Sequence, residues 1–264
     1  MKSNISRSRK VGQAVALLLP LLAPSLHAED YWFKVEGADC SIWSDEPLQE
    51  GEKIRWSGSC KEGLVSGEGV IEVTLSGQSK LYFEGTMTAG KANGEGVLQS
   101  RSEQGVDRYA GGFANSLLHG HGVLVTAGGS RYEGDFMADK PHGYGLYQGA
   151  DGSLYQGGLE AGLPQGEGFE YSADGSRYHG GFFAGERHGS GALLFADGSI
   201  YEGSFAADKA SGEGVYIDQN RDIFIGSWLE GKADGKFVVN RADGSVERQT
   251  WRGDQLISST GEKK

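Results

Sequence analysis

Residues 131–145, RYEGDFMADKPHGYG, contain the pattern that decides the fold of this chain. Tyr132, Gly134 and Phe136 stand at alternate positions, so on a β-strand they share one face, and the two acidic residues between them point to the other face. Such alternation is typical of a half-buried antiparallel strand. The polar segment MADKPH predicts a turn, and GYGLYQG predicts a second strand. The stretch is therefore predicted to be a β-hairpin.

The same pattern recurs along the chain in eight copies, with anchor glycines equivalent to Gly134. Consecutive anchors are 23 residues apart from Gly111 onward. An aromatic residue stands two positions before each anchor, an apolar residue stands two positions after it, and glycine stands nine positions after it. Glycines on the second strand leave room for the rings to lie against bare backbone. The eight anchors are Gly58, Gly85, Gly111, Gly134, Gly157, Gly180, Gly203 and Gly226.

A typical copy has an aromatic residue, a glycine and a second aromatic residue at alternate positions, and Gly-x-Gly follows them, as in HGYG or GEGV. This pattern resembles the MORN repeat. The resemblance covers about residues 54–245 and identifies the chain as a MORN-repeat protein, of an exported bacterial type with eight tandem copies. The copies spaced 27 and 26 residues apart, around SRSEQGVDR, are expected to carry longer connecting loops.

The predicted fold is all-β, an elongated single-sheet meander of about eight 23-residue β-hairpin repeats. The sequence DGS at residues 151–153, with copies at 174–176, 197–199 and 243–245, predicts the tight turns between hairpins. At about 4.8 Å per strand and two strands per copy, the array is expected to extend roughly 75–80 Å.

The first 28 residues are predicted to be a cleaved secretory signal. A basic start, a short apolar run and a small residue before the acidic Glu29 are the marks of such a segment. Cleavage is expected after Ala28, and the protein is expected to be periplasmic. Removing the four basic residues of this segment changes the net charge from −11 to −15. Such a charge disfavours nucleic acid and acidic lipids and favours basic partners.

Residues 29–53 are predicted to form an N-terminal cap and residues 246–264 a C-terminal cap and tail around the repeat array, residues 54–245. In an oxidising compartment the single pair of cysteines, Cys40 and Cys60, is expected to form a disulfide. Cys60 takes the second aromatic slot of the first copy, which predicts an inward side chain. The bridge would then hold the cap over the open edge of the array.

The motifs of common catalytic and cofactor sites are absent from the sequence. No phosphate-binding glycine loop and no nucleophile elbow occur. His119, His142 and His188 share one repeat position, but adjacent copies are about 10 Å apart, too far for two nitrogens to share a zinc ion. Carboxylates that recur along the repeats fit a solvated face better than a paired catalytic site. No catalytic residue, metal ligand or cofactor is therefore predicted, and the chain is not expected to be an enzyme.

The preferred interpretation is a non-enzymatic protein-binding scaffold of the cell envelope, and homodimer formation is left open. The MORN resemblance implies contacts with proteins. A carbohydrate- or peptidoglycan-binding module that uses the aromatic row, and a carboxylate-dependent hydrolase, are the alternatives. The uniform copies between residues 131 and 215 supply the candidate partner-binding face, and packing against the glycines is the competing role of its rings. The rings of this face are Tyr132, Phe136, Tyr155, Tyr178, Phe182, Tyr201 and Phe205.

Overall fold

The computed structural model describes residues 30–262 of the chain. These residues form 21 β-strands, and no helix occurs among them. They divide into two compact units, residues 30–150 and residues 151–262. The all-β prediction is confirmed. The predicted signal segment lies outside the described residues.

The unit of residues 30–150 contains eleven strands. They are β1 (Tyr31–Lys34), β2 (Ser41–Ser44), β3 (Glu52–Trp56), β4 (Ser59–Lys61), β5 (Leu64–Leu75), β6 (Gln78–Thr88), β7 (Lys91–Ser102), β8 (Gly105–Ala114), β9 (Leu117–Val125), β10 (Arg131–Met137) and β11 (Lys140–Gln148).

The unit of residues 151–262 contains ten strands. They are β12 (Leu154–Glu160), β13 (Leu163–Tyr171), β14 (Arg177–Phe183), β15 (Glu186–Leu194), β16 (Ile200–Ala206), β17 (Lys209–Ile217), β18 (Ile223–Leu229), β19 (Lys232–Asn240), β20 (Val246–Arg252) and β21 (Gln255–Glu262).

Within each unit the strands are ordered as an antiparallel meander. From β5 to β11, and again from β12 to β21, each strand pairs with the next strand along the chain. Before β5 the order is different, because β3 and β4 both pair with β5, and β2 makes one parallel contact with it. The predicted meander of hairpins is therefore the observed topology of each unit.

A β-bulge interrupts each repeat hairpin, a feature that the repeat pattern of the sequence does not predict. In the β10–β11 hairpin, Gly134 lies opposite Gly145, but the next residue, Asp135, lies opposite His142. The extra residues begin at Gly143, whose φ of +67° is left-handed and strongly favours glycine. The glycine nine positions after the anchor has a positive φ in all eight copies, at Gly67, Gly94, Gly120, Gly143, Gly166, Gly189, Gly212 and Gly235.

The tips of the hairpins connect successive repeats. Ala138 and Asp139 both have positive φ, of 49° and 68°, as a two-residue turn that follows the twist of its strands requires. The backbone amide of Asp139 donates a hydrogen bond to the carbonyl of Leu118 in the preceding hairpin, at 3.1 Å. The tip around Asp208 makes the same bond to the carbonyl of Arg187. Each of these two hairpin tips is therefore held by the hairpin before it.

The expectation of longer loops in the two irregular copies is wrong. The extra residues lengthen the strands instead, because β5 and β7 have 12 residues each, whereas the later second strands have nine. The turn after β5 is only Ser76 and Gly77, with φ of 52° and 79°. Alternating sequences such as IEVTL extend a hairpin where a short turn of this type can close it.

The predicted disulfide between Cys40 and Cys60 is present, with the two Cα atoms 5.8 Å apart. It links the β1–β2 hairpin to β4. Closing this 20-residue loop is worth about 3 kcal/mol in the chain-entropy model. The predicted inward position of Cys60 is wrong: Cys60 is exposed on β4, and Cys40 is the fully buried partner. β4 keeps the register of the later copies, with Cys60 opposite Val65 as Phe136 lies opposite Pro141. In later copies the residue at this position packs against a ring of the preceding copy, as Phe136 does against Tyr109, and the first copy has no preceding copy to cover Cys60.

Candidate functional site

The seven rings of the candidate partner-binding face are enclosed in the interior of the repeats. Their exposed fractions lie between 0% and 6%, with Tyr132, Tyr155, Tyr178 and Tyr201 at 0%. A partner cannot contact a side chain that has no accessible surface, so the prediction of a partner-binding face is wrong for these rings. The competing role, packing against the glycines, is the one observed.

The enclosed rings contact one another edge-to-face, both within a repeat and from one repeat to the next. The ring of Tyr178 meets Phe182 of its own strand edge-on, with centroids 5.2 Å apart, and meets Phe205 of the next repeat at 5.0 Å. Tyr109 contacts Phe113 and Phe136 in the same way, both at 5.2 Å. Edge-to-face pairs stabilise a core beyond the burial of their area. The aromatic periodicity of the sequence is therefore a core signal.

Each repeat tyrosine lies flat on the second glycine of its Gly-x-Gly pair. A Cβ atom on Gly191 would lie 2.5 Å from Cε2 and 2.6 Å from Cζ of Tyr178. The hydroxyl of Tyr178 donates a hydrogen bond to the carbonyl of Gly181, at 3.0 Å. Tyr109, Tyr132, Tyr155 and Tyr201 make the equivalent bond to the residue three positions later. The bare backbone beneath the rings, predicted from the sequence, is confirmed.

We expect the buried tyrosines to couple ionisation to unfolding at high pH. Burial raises the pKa of Tyr132 and of Tyr178 well above the ordinary value of 10.0, because a phenolate cannot be solvated there. A group whose folded-state pKa is raised stabilises the fold below its unfolded pKa, and that stability is lost as the pH rises above about 10. Absorbance at 295 nm should therefore show a cooperative step that coincides with the loss of β-sheet circular dichroism.

In the Tyr132→Phe variant, the amplitude of this step should decrease by one tyrosine. Gradual ionisation of all tyrosines while the circular dichroism stays native would contradict the coupling.

The opposite face of the sheet, here called the outer face, is open. In residues 151–262 it carries a contiguous apolar surface, here called the outer patch. The cross-strand register places Val215 next to Ile225 and Ile225 next to Val238. Ile225 is 43% exposed and Val238 is 40% exposed. The members of the outer patch are Ile200, Val215, Ile217, Ile223, Ile225, Val238 and Val246.

The outer patch arises because the last copies depart from the repeat at two positions. The residue just before the anchor is polar in six of the seven earlier copies, as at Glu133 and His179, but it is Ile225 in the last. The residue three before the anchor is an arginine in four earlier copies and isoleucine in the last two. The outer face of residues 30–150 is accordingly more polar, with Arg131 ion-paired to Glu133. A comparison of the copies position by position would have found this signal in the sequence.

The recurring carboxylates and histidines lie on the outer face or near the hairpin tips. His121 contacts Asp135 at 3.4 Å, and the His188 ring packs on Phe183 with centroids 5.8 Å apart. Within residues 30–262, no three His, Cys, Asp or Glu side chains come close enough together to hold a metal ion. Glu167, Glu202 and Glu213 border a shallow open depression on the outer face.

The geometry defines a protein built from tandem bulged β-hairpins whose aromatic rings lie on glycine backbone. The MORN repeat profile matches six segments that together span half of the chain: residues 83–103, 109–131, 132–154, 155–177, 178–200 and 201–223. The chain belongs to the MORN-repeat family.

Among solved structures, the wild-type TCP10 domain of Danio rerio CPAP is similar at 12% identity, with a TM-score of 0.38 over 79% of this chain and 95% of that chain. The SAS-4 TCP domain of Drosophila melanogaster, in complex with a proline-rich motif of Ana2, is similar at 12% identity, with a TM-score of 0.34 over 78% of this chain and 95% of that chain. No curated protein matches the sequence. In the part of the chain that is described, no helix has the length and apolar character needed to cross a membrane.

Proposed function

We propose that the protein is a non-enzymatic protein-binding scaffold of the cell envelope and that it binds protein through the outer patch. The observation that carries this proposal is the exposed β-branched surface on strands β16 to β20, in a fold whose aromatic face is already closed. Contiguous apolar surface on a soluble repeat protein marks an interaction site. Repeat folds bind through surfaces assembled over several copies, as this patch is.

The proposal includes eight tandem copies. The hairpin of β18 and β19 lies beyond the six matched segments, yet it has the same bulge, with Gly226 opposite Phe237 and Trp228 opposite Ala233. Gly235 in this hairpin has the positive φ of the other copies. At the other end of the array, the ring of Trp56 lies over Gly58 and Gly69, the glycines of the first copy.

The proposal places the scaffold in the periplasm, because residues 1–28 have the composition of a cleaved signal and the described chain contains a disulfide. Intact-mass analysis of protein from the periplasmic fraction should give an N-terminus at Glu29. A full-length species confined to the cytosol would contradict export.

The two alternatives have weaker support in the fold. A carbohydrate-binding module that uses the aromatic row needs exposed ring faces, and the repeat rings are enclosed. A carboxylate-dependent hydrolase needs two carboxylates held in one site, whereas Glu202 and Glu213 lie on a shallow open surface.

The proposal is tested by weakening the outer patch without changing the core. In the Ile223→Thr/Ile225→Thr/Val238→Thr variant, threonine keeps the β-branched shape that strands favour and removes apolar surface. We expect crosslinked capture of protein from the envelope fraction, quantified by mass spectrometry, to fall at least about tenfold, because interface anchors contribute 1–2 kcal/mol or more each.

The matched control is Val97→Thr/Val123→Thr, at the repeat position of Val215 and Val238 but in residues 30–150. It should capture protein as the wild type does. Equal capture by wild type, patch variant and control would overturn the proposal.

A further inference from the structure

We propose that the outer patch binds a second copy of this chain, as a face-to-face dimer whose two-fold axis runs parallel to β18. This inference rests on the proposed function and names the partner of the patch. It is carried by the order of residues across strands β16 to β20.

The central row of the outer face is self-complementary. Across the five strands the register places Glu202, Val215, Ile225, Val238 and Arg248 side by side, in that order. A two-fold axis along β18 reverses the order of the strands in the facing copy. Glu202 then faces the Arg248 of the second copy, Val215 faces Val238, and Ile225 faces itself. A symmetric dimer requires that one surface be complementary to itself in this way.

Two further rows have the same symmetry. On one side of the central row lie Ile200, Ile217, Ile223, Asn240 and Val246, so isoleucine faces valine at both ends, Ile223 faces itself, and Ile217 faces Asn240, the one polar side chain of the row. On the other side, Glu213 lies next to Ser227 on β18, and Lys236 stands in the bulge of β19, directly before Phe237, which lies opposite Gly226. The same axis therefore places Glu213 opposite the Lys236 of the second copy.

Only the axis along β18 gives these pairs. An axis along β17 would place Glu202 opposite Ile225, and an axis along β19 would place Ile225 opposite Arg248. Both arrangements bury a charge against an apolar side chain, which is costly. Within the described residues, the side chains of Glu202, Lys236 and Arg248 form no hydrogen bond or ion pair. They are available to a facing copy.

The size of the surface fits a dimer of modest affinity. Five strands at about 4.8 Å and three rows at about 7 Å cover roughly 500 Å² per copy, so about 1,000 Å² in total would be buried, which is the lower end for specific interfaces. We therefore expect a dimer that dissociates at micromolar concentration. Two sheets packed face to face stand about 10 Å apart, a distance that interdigitating Ile and Val side chains fill.

The test is charge reversal, followed by sedimentation equilibrium on the full chain with its disulfide intact. Glu202→Arg alone and Arg248→Glu alone should each raise the dimer dissociation constant at least about tenfold, because like charges would face each other. The double variant Glu202→Arg/Arg248→Glu should recover the wild-type constant to within about threefold. An equimolar mixture of the two single variants should form heterodimers. Circular dichroism verifies that each variant is folded.

Three outcomes would overturn the dimer. The first is a wild-type chain that is monomeric at about 200 µM, a concentration well above the expected constant. The second is dimerisation that neither charge reversal weakens. The third is binding of the patch to phosphatidylglycerol vesicles instead of to a second copy. If the chain is monomeric but the outer patch still captures another envelope protein, the dimer is wrong and the scaffold function stands. If capture does not depend on the patch either, both are wrong.

Discussion

Replacing Gly191 by alanine should lower the free energy of unfolding by about 3 kcal/mol, the upper range for forcing extra volume into a packed core. The Tyr178 ring lies on the Cα of Gly191, and an added Cβ would lie within 2.6 Å of the ring atoms Cε2 and Cζ. The ring cannot move away freely, because Phe182 and Phe205 hold its edges and its hydroxyl bonds the carbonyl of Gly181. Urea unfolding followed by circular dichroism measures the change.

The matched control lies two residues away. Gly189 has a φ of +71°, but nothing lies within 4 Å of a Cβ built on it. Gly189→Ala should therefore cost only the left-handed strain of a non-glycine residue, about 1 kcal/mol. In a Tyr178→Leu background, the added cost of Gly191→Ala should fall below about 1 kcal/mol, because the clashing ring is absent. Equal costs for the two alanine substitutions would show that ring contact is not the reason for this glycine.

Replacing Glu170 by leucine should destabilise the protein by about 3–5 kcal/mol, as expected when one partner of a buried ion pair is removed. Glu170 and Arg187 have side chains only 4% exposed, and a guanidinium nitrogen of Arg187 lies 2.9 Å from a carboxylate oxygen of Glu170. Ser172 donates a hydrogen bond to the other carboxylate oxygen, at 3.2 Å. Without Glu170, the charge of Arg187 would remain buried with no counter-ion.

Neighbouring copies carry apolar residues at the two positions of this ion pair. The position of Glu170 is occupied by Leu193 in the next copy, and the position of Arg187 is occupied by Pro164 and Ala210 in neighbouring copies. An apolar pair therefore fits this place in the fold. The double variant Glu170→Leu/Arg187→Met, which keeps the volume, should be within about 1 kcal/mol of the wild type in urea unfolding. A double variant as unstable as Glu170→Leu alone would show that the ion pair itself is required.

How far the candidate site could be predicted depends on which face of the strand is considered. Tyr132, Gly134 and Phe136 indicated the buried face, but a sequence pattern does not distinguish a ring that packs from a ring that binds. The ring of Tyr132 has no accessible surface because Gly145 and Phe136 enclose it. The outer patch was missed because an apolar residue at an outward position, such as Ile225 between the buried Phe224 and Gly226, is evident only when the copies are compared position by position.

The sequence by itself determined the repeat, the all-β class and the cysteine pair. Each of these depends on local periodicity or on residue type, which the order of amino acids shows directly. Only the tertiary structure decided the bulge at Gly143, the longer strands β5 and β7, the exposed position of Cys60 and the neighbours of Ile225. These depend on cross-strand register and, for Cys60, on the packing of each copy against the copy before it. Register places residues far apart in sequence, such as Glu202 and Arg248, in one row, because hydrogen bonds between strands, rather than positions along the chain, set which side chains are adjacent.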